Sequence, residues 1–283
     1  MTTAKKILQN KCLRPSKRLS QSFLEDLNVV KKIIKFADIN PSDIVVEIGA
    51  GTGIMTEEIV QKAEKVVALE IDPHMIDILR ERFKNCHNIE IIQTNVLDYD
   101  FSLISIMLNG KKVRVMGNVP YHISSQILFR LIEFRDYITD MTLMFQKELA
   151  DRISAAPGSK EYGIPSVIVG MYTSCVVAHV IPRQCFFPVP KVMSSVLKAV
   201  IQEKSKVQLV DPDFFMKTVK ISFSKRRKTL LNNLRSLYSQ GYTEDDINRA
   251  LESTGIDSKR RGETLTISEF GNLANALKRS KLA

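Results

Sequence analysis

The segment Asp43–Gly53, DIVVEIGAGTG, limits the fold more than any other part of the chain. An almost unbroken apolar run leads straight into three glycines at alternate positions, Gly49, Gly51 and Gly53. A strand buried on both faces gives such a run. Glycines at its end let the backbone turn sharply, take positive φ and approach a ligand closely. Four similar runs follow: Lys65–Ile71 (KVVALEI), Ile89–Gln93 (IEIIQ), Lys112–Met116 (KVRVM) and Met141–Phe145 (MTLMF). Between and around them, helical spacing is predicted at Asp26–Ala37, Thr56–Lys62, Met75–Phe83, Ser124–Phe134 and Lys147–Ala155. This alternation predicts a doubly wound α/β sheet with right-handed crossovers. Three further apolar runs, Ser166–Tyr172, Cys175–Val180 and Ser194–Ile201, are expected to form a hairpin-like, partly antiparallel edge.

The pattern changes near residue 202. The polar stretch QEKSKVQLVDPD reads as a linker, and every periodic segment beyond it is helical. Phe214, Phe215, Val219 and Phe223 mark one helix, and Leu230, Leu231, Leu234 and Leu237 a second. Thr243 with Asp246 opens a third that stops at Gly255, and Ser268 is expected to cap the last. Three parts are therefore expected: a basic N-terminal arm over residues 1–25, an α/β domain over 26–203 and a helical domain over 204–283.

The net charge of +10 lies at the two ends. Residues 1–20 carry six basic and no acidic side chains; residues 204–283 carry 16 basic and nine acidic ones. A near-neutral body between two basic ends points to a polyanionic partner. Lys225, Arg226, Arg227 and Lys228 are the densest cluster and are candidate phosphate contacts. Charged residues at 25% and hydrophobic ones at 44% exclude a disordered or collagen-like chain. No run of about 18 apolar residues is present, so no membrane span is expected, and the basic N-terminus lacks the apolar stretch of a secretory signal. Cys12, Cys86, Cys175 and Cys185 are scattered, which fits reduced thiols in a cytoplasm and argues against a metal site.

Chemistry concentrates at the strand ends. The spacing G-x-G-x-G departs from the G-x-G-x-x-G of dinucleotide binders. Glu70, 21 residues after Gly49, closes the second strand and can accept hydrogen bonds from a ribose diol. Glu47 precedes the glycine turn. A diphosphate wants a helix N-terminus free of acid, so Glu47 favours a cationic nucleoside such as S-adenosylmethionine, which has a sulfonium, an ammonium and no phosphate. Asn95 can bond the adenine amine, with Asp98 as a rival. After the fourth strand comes Asn118-Val119-Pro120-Tyr121. The Asn118 side-chain oxygen and the Val119 carbonyl can both accept from an exocyclic amine, and Tyr121 can stack on its base. Two acceptors on one NH2 draw the nitrogen toward pyramidal geometry and localise its lone pair for attack on a methyl group. His122 is near this loop by adjacency.

These motifs together resemble the KsgA-type small-subunit rRNA adenine dimethyltransferases, relatives of the Erm methyltransferases. SQSFL (Ser20–Leu24), EIGAGTG, NVPYHIS, CFFPVPKVMSSV, FSKRRKTLLNNL and RRGETLTISEF are similar to the family's motifs along nearly the whole chain. The resemblance implies a Rossmann-like S-adenosylmethionine methyltransferase sheet of seven strands, mostly parallel with an antiparallel edge, and a small all-helical C-terminal domain. It implies cofactor contacts at Ser22, Leu24, Gly49, Glu70, Asn95 and Asn118, with Glu47 and Gly51 in the same turn. Serine at 22 and asparagine at 95 depart from the family's usual asparagine and aspartate. It further implies that Phe187 faces Tyr121 across the target adenine. The expected partner is small-subunit rRNA in an immature small ribosomal subunit, and the expected product is S-adenosylhomocysteine. A monomer acting in the cytoplasm, without metal or membrane, is expected. An Erm-like large-subunit rRNA methyltransferase and a non-catalytic assembly or transcription factor remain competing readings, with a dehydrogenase a distant further one.

Overall fold

In a computed structural model, the described residues are 3–108 and 110–281. They divide into two compact units, one of residues up to 150 with 175–201, the other of 151–174 with 202 onward. In chain order the elements are α1 (Ala4–Asn10), β1 (Phe23–Leu24), α2 (Leu27–Ala37), β2 (Ile44–Ile48), α3 (Ile54–Val60), β3 (Lys65–Glu70) and α4 (Pro73–Arg82). Then follow β4 (Ile89–Gln93), α5 (Phe101–Met107), β5 (Val113–Asn118), α6 (Ser124–Glu133), β6 (Ile138–Gln146) and α7 (Lys147–Ile153). After these come α8 (Ile164–Tyr172), β7 (Thr173–Ile181), β8 (Phe186–Phe187) and β9 (Ser194–Ile201). The last helices are α9 (Pro212–Ser222), α10 (Leu230–Leu234), α11 (Glu244–Ser253) and α12 (Ile267–Ser280). Among the described residues no helix is long and apolar enough to cross a membrane.

The first unit is built on a seven-stranded sheet in the order β4-β3-β2-β5-β6-β9-β7. Its first five strands are mutually parallel, and β9 runs antiparallel to β6. The apolar run at β2 is buried along its whole length, as a central parallel strand requires. Arg114 sits inside β5 and is buried, because Asp140 (2.8 Å) and Asp43 (2.6 Å) both pair with it. Residues 3–20 of the basic arm are ordered in part by α1. Thr3 caps α1, and Ala4 and Leu8 of that helix are buried in the same core as Val30, Ile33 and Ile34 of α2. A separate two-stranded ribbon pairs β1 with β8, Phe23 opposite Phe187 and Leu24 opposite Phe186.

The expected boundaries at 26 and 203 differ from this division. The N-terminal 25 residues group with the sheet, and residues 151–174 group with the C-terminal helices. The reason lies in Ser166–Tyr172, expected as a strand and found inside α8. That helix is apolar on nearly every side because it is buried all round, so its periodicity is hidden. Its start is set locally: Pro165 lies in the first turn, and the Ser166 hydroxyl accepts from the Gly163 N–H at 3.0 Å. In the second unit α8 packs against α9 and α12, and Tyr162, Phe223 and Phe270 form a chain of ring contacts at the centre. The last helix is capped by Thr266, not Ser268. Glu269 three residues later completes a capping box, with its carboxylate accepting from the Thr266 N–H at 2.6 Å.

Candidate active site

The sheet order reverses between β2 and β5: β2 has β3 on its other side, and β5 has β6. A crevice opens at the carboxyl ends of strands at such a point. There Ile48 pairs with Gly117. A Cβ on Gly117 would lie 2.5 Å from the Ile48 carbonyl oxygen, so only glycine fits. That close pairing sets Asn118 beside the glycine turn. Gly51 has φ of +55°, and the Phe23 ring of β1 fills the space its side chain would need.

The Asn118 Nδ2 donates to the Ser22 carbonyl at 2.8 Å. A carbonyl can only accept, so the amide's orientation is fixed and Oδ1 is left as an acceptor. No hydrogen bond among the described residues reaches that oxygen. The Val119 carbonyl is free in the same sense, whereas the next two carbonyls, of Pro120 and Tyr121, both accept from the Ser124 hydroxyl at 3.0 Å. Ser124 therefore shapes the turn and leaves the two expected acceptors open. The Tyr121 hydroxyl is 2.6 Å from Ser194 Oγ, which pins the ring, and burial pushes its pKa up.

A cavity of about 250 Å³ joins these parts. Ser22, Gly49, Gly51, Glu70, Asn95 and Asn118 line it, as do Val119, Pro120, Tyr121 and His122. Asp98, the rival of Asn95, does not. Leu24 and Glu47 lie in an adjoining recess of about 40 Å³, which shares Gly49, Gly51 and Asn118 with the cavity. Phe187 is held opposite Phe23, with the Lys5 ammonium 5.7 Å from its ring centre. It lies outside the cavity lining.

The carboxylates differ in their surroundings. Glu70 accepts from the backbone N–H groups of Gly51 (2.8 Å), Ile71 (2.8 Å) and Asp72 (2.9 Å). Burial raises its pKa and those three donors oppose the rise. One of its roughly four lone-pair positions remains for a ligand. Glu47 is 1% exposed, and its Oε2 has no hydrogen-bond partner. Burial pushes its pKa up to about 8, with the Glu70 charge adding to the rise. An orphaned buried carboxylate beside a glycine cradle is the donor set a cationic nucleoside needs, so these residues fit S-adenosylmethionine. Asn95 spends Oδ1 on the Leu97 N–H at 3.1 Å, which turns its amide nitrogen into the freer group.

Sequence reasoning touched Ser20 and Gln21 only within the SQSFL motif and did not name Leu19 or Ile71. Leu19, Ser20 and Gln21 cross it from the N-terminal segment, and Ile71 offers an apolar side chain that is 45% exposed. Ile71 carried a signal, an isoleucine just past a strand-end acid, and Ser20 and Gln21 carried one in the SQSFL motif; Leu19 carried none. In the second unit Lys225, Arg226, Arg227 and Lys228 are all exposed between α9 and α10. Arg226 is partly committed to the fold, since it donates to the Lys160 carbonyl and lies 3.7 Å from Glu263. Among the described residues no group of His, Cys, Asp and Glu could hold a metal ion.

The ribosomal RNA adenine dimethylase family model matches residues 13–273. A ribosomal RNA small subunit methyltransferase A of Syntrophus aciditrophicus is 40% identical over 277 residues, covering 98% of this chain and 99% of its own. One of Shouchella clausii is 41% identical over 263 residues, 92% of this chain and 89% of its own. The crystal structure of a dimethyladenosine transferase from Plasmodium falciparum matches with a TM-score of 0.77 at 28% identity, over 92% of this chain and 98% of that one. A 23S rRNA methyltransferase, ErmE, shares the fold with a TM-score of 0.66 at 22% identity, over 90% and 99%.

Proposed function

Because the chain belongs to the ribosomal RNA adenine dimethylase family, we propose that it transfers methyl groups from S-adenosylmethionine to N6 of two adjacent adenines in small-subunit rRNA. The target is a hairpin loop near the 3′ end, met in an immature small subunit, and the setting is the cytoplasm. The observation that carries this reading is the paired, unengaged acceptors, Asn118 Oδ1 and the Val119 carbonyl, at the rim of a cavity that also holds the glycine turn and Glu70.

The cofactor supplies a methyl group already activated on a sulfonium, so no nucleophilic side chain or metal is called for. Gly49, Gly51, Glu70 and Asn95 would hold its nucleoside, and Glu47 would answer its positive charge. Asn118 Oδ1 and the Val119 carbonyl hold the exocyclic amine and localise its lone pair. Pro120 fixes the turn between them and Tyr121, whose ring stacks on the base. Phe187 supplies an aromatic face from the β8 side. Neither acceptor is a base; the methylated nitrogen is acidic and loses its proton to water. Rate then rests on orientation, worth about 7–11 kcal/mol in well-aligned systems. A loop adenine leaves its stack at a cost of a few kcal/mol, and stacking on an aromatic side chain, worth about 1–3 kcal/mol per base, offsets it.

The test is incubation of the purified protein with unmethylated small subunits and labelled S-adenosylmethionine, followed by mapping of the modified bases. Label at N6 of two adjacent adenines near the 3′ end is expected; label only in large-subunit RNA would replace this reading with the Erm-like one. The exposed cluster Lys225–Lys228 positions the RNA through phosphates. Replacing Lys225, Arg227 and Lys228 with alanine is expected to lower the slope of log affinity against log salt by roughly 0.7–0.9 for each phosphate no longer neutralised. An unchanged slope would remove the cluster from the interface.

A further inference from the structure

Ser22 stands between two parts of the site that are remote in sequence. Its carbonyl accepts from Asn118 Nδ2 at 2.8 Å, and its hydroxyl donates to the Pro188 carbonyl at 2.9 Å. Pro188 follows Phe187 in the ribbon that pairs β8 with β1, so the segment just after Ser22 and the segment just before Pro188 are already hydrogen-bonded to each other. The strap leading into Ser22 is anchored as well. Gln21 Nε2 donates to Asp72 Oδ2 at 2.7 Å, and Gln21 Oε1 accepts from the Ser16 N–H at 2.7 Å. Asp72 in turn caps α4 through its other oxygen, which accepts from His74 N–H at 3.0 Å. Ser22 is thus fixed on its N-terminal side to the β3–α4 turn and on its C-terminal side to the ribbon.

The hydroxyl has one proton, and Pro188 takes it. Toward a ligand the side chain has only acceptor capacity left, so it cannot bond a carboxylate. What Ser22 does contribute is alignment: the same residue that aims the Asn118 amide holds the loop that follows Phe187. We propose that Ser22 is a positioning residue, which couples the aim of the Asn118 acceptor to the placement of the 187–190 segment on the target-base side of the site. This deepens the functional reading above and rests on it.

The experiment uses the full-length protein with Ser22→Ala and Ser22→Thr. Three quantities are read: the single-turnover rate of methyl transfer into unmethylated small subunits at saturating donor, the Kd for S-adenosylhomocysteine by calorimetry, and the melting temperature. Loss of one hydrogen bond of ordinary strength corresponds to about 2- to 10-fold. Ser22→Ala is expected to slow the saturated rate by that factor, to leave the Kd within twofold and to fold normally; Ser22→Thr, which keeps the hydroxyl, is expected to restore the rate. A wild-type rate in Ser22→Ala would overturn the proposal. So would a weakened Kd with an undiminished saturated rate, which would make Ser22 a cofactor ligand, or a Thr variant as slow as Ala. Wild-type protein is assayed in parallel: if it fails to methylate small subunits, the functional reading fails first, and the Ser22 variants are not the cause.

Discussion

Asn118→Ala is expected to reduce methyl transfer by at least about 10²–10³-fold, the loss seen when one preorganised polar group aimed at a reacting centre is removed. The variant deletes both halves of the amide. The Nδ2 bond to the Ser22 carbonyl goes, and with it the side-chain acceptor open toward the amine. Cofactor affinity should change far less, since the glycine turn, Glu70 and Asn95 line the cavity independently of Asn118. Asn118→Asp sharpens the test. It keeps an acceptor of the same size, but a carboxylate has no N–H for the Ser22 carbonyl, and two oxygens would face each other at 2.8 Å. The aspartate is therefore expected to turn away, and transfer should be lost nearly as completely as with alanine. Quench-flow methyl transfer at saturating donor, with Kd measured separately, distinguishes the two effects. An Asp variant with near-wild-type rate would show that an acceptor alone suffices and that its aim does not matter.

The contrast between Asn118 and Ser22 shows what the sequence could and could not reveal. Asn118 ends a strand with a clear apolar signature and opens a turn whose residue types already imply two acceptors and an aromatic face. Its neighbours Gly49, Gly51 and Glu70 follow by the same logic, because glycine at positive φ and an acid at a strand end are local facts. The bond from Asn118 to Ser22 spans 96 residues, and no local propensity records it. The N-terminal strap, the β1–β8 ribbon and the burial of Leu8 in α1 are of this kind. A basic stretch reads as a flexible or partly ordered arm until its partners are in place. Ser166–Tyr172 failed for a different reason. A short helix buried on all sides loses the polar stripe by which helices are recognised, and only the Gly163–Ser166 start betrays it.

Glu47 sets the second large expectation. Its pKa in the folded protein is about 8, against an ordinary value of 4.5. Between those values the folded chain holds a proton that the unfolded chain releases, so the unfolded state binds fewer protons and stability falls as pH rises. The stability is fully present below about pH 4.5 and lost as pH climbs through about 8. At roughly 1.4 kcal/mol per unit, the loss is of order 3–5 kcal/mol by pH 8.5. The groups that bear on Glu47 do not cancel it: Glu70 on β3 adds repulsion, while Thr56 on α3 and Arg82 on α4 only soften the rise, and Arg82 is already paired with Glu57 at 2.7 Å. Glu47→Gln removes the titration. The variant without cofactor is expected to melt roughly 6–20 °C above wild type at pH 8.5, at about 2–4 °C per kcal/mol, with the gap closing toward pH 5. A cationic ligand reverses the sign of the effect, because it favours the ionised carboxylate. S-adenosylmethionine should therefore bind wild type with release of a proton near pH 7 and bind Glu47→Gln more weakly, without that release. Calorimetry in two buffers of different ionisation enthalpy measures the proton directly. Equal heats in both buffers, or the same proton count in the variant, would separate Glu47 from the cofactor's charge and leave the glycine turn to hold the nucleoside alone.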